Sequence, residues 1–382
     1  MRKHYLDNIR WFTVFVVVLY HVFYMYNAEG ISGTVGKITG LEVQYYDLFQ
    51  YIVYPWIMML LFVVSGIASR LYLEKHSDKE FIKSRTTKLL VPSTIGLVAF
   101  QFIQGYINAS ISGVLLSNQE IPLIAKIIIS ILSGIGVLWY IQILWIFSVL
   151  LVLVRKIEKN RLSDAVAKIE KAPEAVVLVL LVFLGGLVWL SSLILNTPLI
   201  VVYRFGLYGL VFFLGYFLFS QERVISVLKK YFPLFSAVAL ILGTVFCILY
   251  FGKNYADKPV NRSPLFALYG WFTCLALFGI FSRFFDFENG FTRWVSKRSF
   301  GLYVFHYLGI SAFALFIAKP GLVPPVAAYI LTLLSGLASG FLLYEIISRL
   351  PFFKWAILGI KKSGTNVQKN EVSGDNKTSK QE

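Results

Sequence analysis

This chain has little charge. Only 15% of its 382 residues are Asp, Glu, Lys or Arg, whereas 57% are hydrophobic and mean hydropathy is +0.70. Soluble domains carry about 25% charged residues, so there is little room here for one. Cysteine is scarcer still: Cys247 and Cys274 are the only two. Both fall in apolar runs and read as packing residues, giving neither a disulfide framework nor a metal-ligand cluster. A glycine-rich nucleotide loop, a G-x-S-x-G elbow and a metal constellation are also missing. No metal and no permanently bound cofactor is therefore expected. No cleavable signal peptide is expected either, because the first apolar run continues into Tyr20-His21 rather than a small-residue cleavage site.

What is present is a series of long apolar runs. Trp11–Ala28, Val176–Leu195, Tyr231–Phe251 and Val326–Ile347 are each long enough to cross a bilayer. The chain reads as an all-α, polytopic integral membrane protein. Ten spans are predicted, at 11–28, 49–70, 89–108, 137–154, 174–194, 201–219, 232–251, 264–282, 299–318 and 325–348. Residues 1–360 form one transmembrane domain. Residues 361–382 are rich in Lys, Ser, Asn, Gln and Glu and are expected to be a disordered cytoplasmic tail. The loop at 29–48 carries Gly30, Gly33, Gly36 and Gly40 and is expected to run irregularly. Segment 155–173 is a charged helical connection ended by Pro173. Leu123–Leu132 is apolar but too short to cross, so it reads as an interfacial or re-entrant piece before a span opening at Trp139-Tyr140.

Net charge is +16, and its placement follows the loops. With the N-terminus inside, 29 of the 36 Lys and Arg fall on cytoplasmic segments. The positive-inside rule places both termini in the cytoplasm and accounts for most of these charges. Nucleic-acid binding does not account for that alternation.

Some charges call for more. Arg10 and His21 are eleven residues apart in the first span. At 100° per residue that is about three turns plus roughly 20°, so the two share a face and differ in depth by about 16 Å. This sets a cation at the cytoplasmic edge beneath an imidazole near mid-membrane. Asp7 and Tyr24 belong to the same stripe, and Asp7 can pair with Arg10. Arg10 could instead be an interfacial anchor beside Trp11, and His21 a structural histidine bonded across helices. As a pair on one face they point to a site, since ionisable groups in a membrane are costly and usually functional. A buried histidine suits general-base work, and a guanidinium suits phosphate or a developing oxyanion.

Arg85 and Lys88 are three apart, hence on one face at the cytoplasmic mouth, and could hold the phosphates of coenzyme A. Topology alone would also explain them. Ser299, Tyr303 and His306 share a face of the ninth span, where His306 could carry a proton, align a partner or merely bond across helices. Arg204, near the outer end of the sixth span, and Trp139-Tyr140, opening the fourth from the same side, could meet an acceptor. The interfacial aromatic belt is the plainer reading of the Trp-Tyr pair. Glu345 is expected to pair with a nearby Arg.

Leu6-Asp7-Asn8-Ile9-Arg10, ten residues and then His21 resemble the opening of the acyltransferase-3 family. Phe62-Val63-Val64-Ser65-Gly66, the basic pair before Pro92, Trp139-Tyr140 and Ser299-Phe-Gly-Leu-Tyr303-Val-Phe-His306 follow in the family's order, so the resemblance covers about residues 5–350. The ten-span form looks most similar to the branch of the bacterial glucan-modifying protein C. The family's third-span motif is commonly Arg-x-x-Arg; here it is Arg85-Thr-Thr-Lys88, and Lys keeps the charge but loses the bidentate fork. The resemblance implies a bacterial plasma-membrane O-acyltransferase. It would move an acyl group, acetyl or succinyl in type, from cytoplasmic acyl-CoA to a hydroxyl of an extracytoplasmic glycan. His21 would be the base, Arg10 oriented by Asp7 the charge stabiliser, Arg85 and Lys88 the donor contacts. The competing expectation is a carrier or flippase without covalent chemistry.

Overall fold

Hydrocarbon offers backbone N–H and C=O groups no partners, so spanning segments must bond within themselves. The computed structural model describes residues 3–113, 115, 121–197 and 202–360, and among them the ordered elements are helices. The tail expected at 361–382 lies outside the described residues. Among the described residues, nine helical segments are long and apolar enough to cross a membrane.

In chain order, α1 is His4–Met25 and α2 is Leu48–Leu73. A single rod, Asp78–Ile111, contains α3 (Asp78–Arg85), α4 (Val91–Gly96) and α5 (Phe102–Ile111), joined by π-helical turns at Thr86–Leu90 and Leu97–Gln101. Pro92 lacks the N–H that an unbroken α-helix would use, and the wider turn lies just before it. Next come α6 (Leu123–Ser133), α7 (Trp139–Glu158), α8 (Arg161–Ala167) and α9 (Glu174–Ser192). They are followed by α10 (Phe205–Phe217), α11 (Glu222–Tyr250), α12 (Pro264–Phe284), α13 (Gly290–Phe313), α14 (Pro325–Arg349) and α15 (Pro351–Leu358).

Polar contacts sort the helix ends into two faces. On one, Lys3 pairs with Glu222, the Tyr5 N–H meets Asp286, Arg155 pairs with Asp78, Arg298 with Glu345, and Lys230 with Glu174. On the other, Tyr51 meets Glu29 and the Lys253 carbonyl, Gln44 meets Tyr329, and Arg204 meets the Asn261 carbonyl. The first face collects the Lys- and Arg-rich loops, as the positive-inside rule requires of the cytoplasmic side. The first helix begins at His4 rather than residue 11, because Tyr5, Leu6 and Ile9 are already buried. Arg10 therefore lies about 9 Å inside α1, and His21 about 6 Å from its outer end, against the middle of the Gly290–Ala318 segment.

The sixth predicted span is α10, only 13 residues long and roughly 20 Å. It still links the two faces, and it packs backbone to backbone on α2. A Cβ added at Gly66 would sit 2.1 Å from the Phe212 carbonyl, and one at Gly215 would sit 2.2 Å from the Val63 carbonyl. Among the long segments, those of α2, α12 and α13 are the most buried, with α1 beside them. α9, α11 and α14 turn Val182, Phe183, Leu240, Ile248, Ile330 and Leu342 outward.

α6 is neither interfacial nor re-entrant, the two readings its short apolar run suggests: it enters from the outer side and is continued inward by α7. It runs back beside the outer half of α5, so close that a Cβ at Gly105 would meet the Ser130 carbonyl at 1.7 Å, while Leu123, Ile124 and Ile128 stay exposed. It stops beside Gln101, and the chain breaks at Gly134 to Leu138 before α7 begins. Trp139-Tyr140 thus opens α7 inside the bundle, level with Leu61 and Ser65 at the middle of α2. The expected position at the outer surface is corrected: α6 supplies the outer half of that crossing.

Candidate active site

The site is held by α1 at one wall, with α2, α13 and the α6–α7 break around it. Its inner part begins at Arg10, whose Nη1 donates to Asp7 Oδ1 at 3.0 Å, the pairing expected at that spacing. Arg85, ending α3, donates from Nη2 to Ser69 Oγ at 3.0 Å and lies 5.0 Å over the Phe81 ring. Arg10, Arg85 and Tyr140 are close enough to interact electrostatically. Like charges repel, and an anion bound near both would relieve that. Beside Arg10 opens a recess of about 380 Å³, reached by His4, Glu288, Arg293 and Lys297. Arg293 and Lys297 entered the sequence reading only as topology charges. Their four-residue spacing on one helix, ahead of Ser299, was the available signal.

Lys88 does not share a face with Arg85. The π turn over Thr86–Leu90 advances less per residue than an α turn, so Arg85 points inward while Lys88 is exposed beside Gly359. The Arg85/Lys88 alignment expected from α-helical spacing is corrected for that reason.

The outer part centres on His21, which is half-buried. His306 on α13 is fully buried, and its Nε2 lies 3.0 Å from His21 Nδ1. His306 Nδ1 lies 2.9 Å from the carbonyls of both Leu302 and Tyr303. Tyr20, Tyr24 and Tyr307 surround the His21 ring at centroid distances of 5.2, 6.0 and 4.9 Å. Tyr54 stacks on Tyr20, and Tyr255 from the outer loop lies edge-on to both. The Tyr255 hydroxyl bonds the Gln50 side chain, which itself donates to the Phe23 carbonyl and to Asp47. The result is a cage of rings and hydroxyls beneath the outer loop, of a kind that suits a hydroxylated acceptor. Tyr307 was legible beside His306. Tyr54 and Tyr255 reach the cage only through tertiary folding.

The other singled-out residues fall around this axis. The Tyr303 hydroxyl donates to the Val137 carbonyl, one of the groups freed at the α6–α7 break, so it props Trp139-Tyr140 in place. Ser299 donates to the Ser296 carbonyl of its own helix, away from the histidines. The Tyr140 hydroxyl bonds Ser65, and Trp139 packs between Tyr203 and Tyr208. Arg204 is buried at 2% exposure; its Nη2 donates to the Asn261 carbonyl at 2.6 Å and its guanidinium lies over Phe266. As expected, it stands at the outer end of its span, capping α10 beneath the Val260–Arg262 turn. Glu345 pairs with Arg298 at 2.6 Å, as expected. Among the described residues no three His, Cys, Asp or Glu gather as metal ligands.

Comparison with known proteins identifies the family. The sequence model described as Acyltransferase domain, of the acyltransferase-3 family, matches residues 3–345. The chain belongs to that family and is a multi-pass membrane acyltransferase that transfers groups other than aminoacyl groups. No curated protein matches, and no solved structure does.

Proposed function

We propose that this acyltransferase takes its acyl group, of acetyl or succinyl type, from cytoplasmic acyl-CoA. It passes that group to a hydroxyl of a glycan, or a related acceptor, on the far side of a bacterial plasma membrane. The observation that supports this reading most is the paired placement on α1: a guanidinium at a basic inner recess and an imidazole in a hydroxyl-rich outer cage. The resemblance to the glucan-modifying branch read from the sequence motifs is the ground for proposing a glycan acceptor.

In this reading Arg10, held by Asp7, and Arg85 take the donor's phosphates, with Lys88 and the Arg293–Lys297 edge at the rim. Acyl-CoA is a substrate; no resident cofactor takes part. His21 removes the acceptor hydroxyl's proton as that oxygen attacks the thioester carbon. The C–O bond forms, the C–S bond breaks, and the thiolate leaving group collects the proton from His21. The products are an ester and free CoA thiol. Trp139 and Arg204 line the acceptor side.

The test is turnover of labelled acetyl-CoA and succinyl-CoA by purified protein with an envelope acceptor fraction. His21→Ala should lower kcat by about 10²- to 10⁴-fold, and Arg10→Ala should mainly raise the donor KM. Normally inserted variants that keep the wild-type rate would sink the proposal. Acceptor movement without donor turnover would favour a carrier instead.

A further inference from the structure

Resting on His21 as the base, the geometry points to His306 as a positioning residue that fixes which nitrogen of His21 carries the proton. Carbonyl oxygens only accept, so His306 Nδ1, with the Leu302 and Tyr303 carbonyls at 2.9 Å, must bear a hydrogen. A neutral imidazole has one N–H, and a charged one here would lie fully buried with no acidic side chain at hand. His306 Nε2 is therefore a lone pair. Across 3.0 Å it can only accept, and the donor is His21 Nδ1–H. That contact puts the hydrogen on Nδ1 and leaves His21 Nε2 as the free lone pair.

This is the duty an aspartate performs in a serine-protease triad, done by a neutral acceptor. When His21 Nε2 takes the acceptor's proton, its Nδ1–H still has His306 Nε2 to donate to. The positive charge is then spread without introducing a buried carboxylate. The order of tasks between the two histidines is thereby decided: His21 exchanges the proton and His306 holds the ring.

Substitutions that place an acceptor at one nitrogen position but not the other test this. Gln at 306 can put Oε1 where Nε2 was; Asn reaches only the Nδ1 position; Leu reaches neither. Donor turnover by purified, folded protein, normalised to thermal unfolding in detergent, should show His306→Gln within about tenfold of wild-type kcat. His306→Asn and His306→Leu should fall by roughly 10²-fold with donor KM little changed. Equal loss in Gln and Asn would overturn the positioning role and make His306 a proton carrier. Full activity in Leu would make it a packing residue and overturn the role equally. His21→Ala, run alongside, keeps the two ideas apart: if it stays active, the base assignment itself has failed.

Discussion

At the scale of single residues, the site is a matter of who can donate. Arg10 and His21 lie on one helix face because eleven residues make about three turns, but that arithmetic says nothing of His306. In the proposed reaction it is the His306 lone pair at 3.0 Å that would give the His21 base a defined tautomer. Tyr303 illustrates a quieter role. Its hydroxyl answers the Val137 carbonyl exposed where α6 gives way to α7. Tyr303→Phe should leave that carbonyl unpaired, cost about 1 kcal/mol, and lower the thermal unfolding midpoint. Donor KM should change little, since Tyr303 touches neither Arg10 nor Arg85. An unchanged midpoint would show that Val137 finds another partner.

At the scale of helices, phase and approach distance govern. The π turn over Thr86–Leu90 separates Arg85 from Lys88, so the pair written three apart in sequence serves two directions in space. Such a turn could not be read from Arg-Thr-Thr-Lys, because periodicity presumes the α-helical advance. Pro92 was the one local hint. Where α2 and α10 cross, the carbonyls of Phe212 and Val63 leave no room for a side chain at Gly66 or Gly215. Lipid gives helices no hydrophobic drive to associate, so this close backbone contact supplies the packing. Gly66→Leu must push the helices apart, shifting Ser65 from Tyr140 and Ser69 from Arg85. It should abolish acyl transfer and markedly lower stability. Gly186→Leu, at a glycine with open space around it, should do neither. Comparable unfolding midpoints for the two variants would refute the crossing as the cause.

At the scale of the molecule, one helix joins a recess at the basic face, lined by Arg10, Arg293 and Lys297 with Asp7 and Glu288, to a tyrosine-lined imidazole deeper in the bundle. Sidedness is checked directly with single cysteines and a membrane-impermeant thiol reagent. Lys156→Cys, exposed on the basic face, should react only in inverted vesicles, and Glu42→Cys, exposed on the opposite face, only in right-side-out ones. The same side for both would break the assignment of the faces.

The sequence by itself determined the membrane class, the places of most crossings, the basic side and the Arg10–His21 axis. Each of these is local: run length, loop charge and helical phase are all summed over neighbours along the chain. Only the tertiary structure decided the rest. Its contacts join residues far apart in the sequence, such as His306 against His21, Tyr255 in the cage, and Arg293 and Lys297 at the Arg10 recess. It also set depth, placing Trp139 inside the bundle, because α6 stops short and α7 begins level with the middle of α2. Hydropathy reports only that a segment is apolar. Where it begins in the membrane is settled by which neighbour takes up its unpaired carbonyls, as Tyr303 does for Val137.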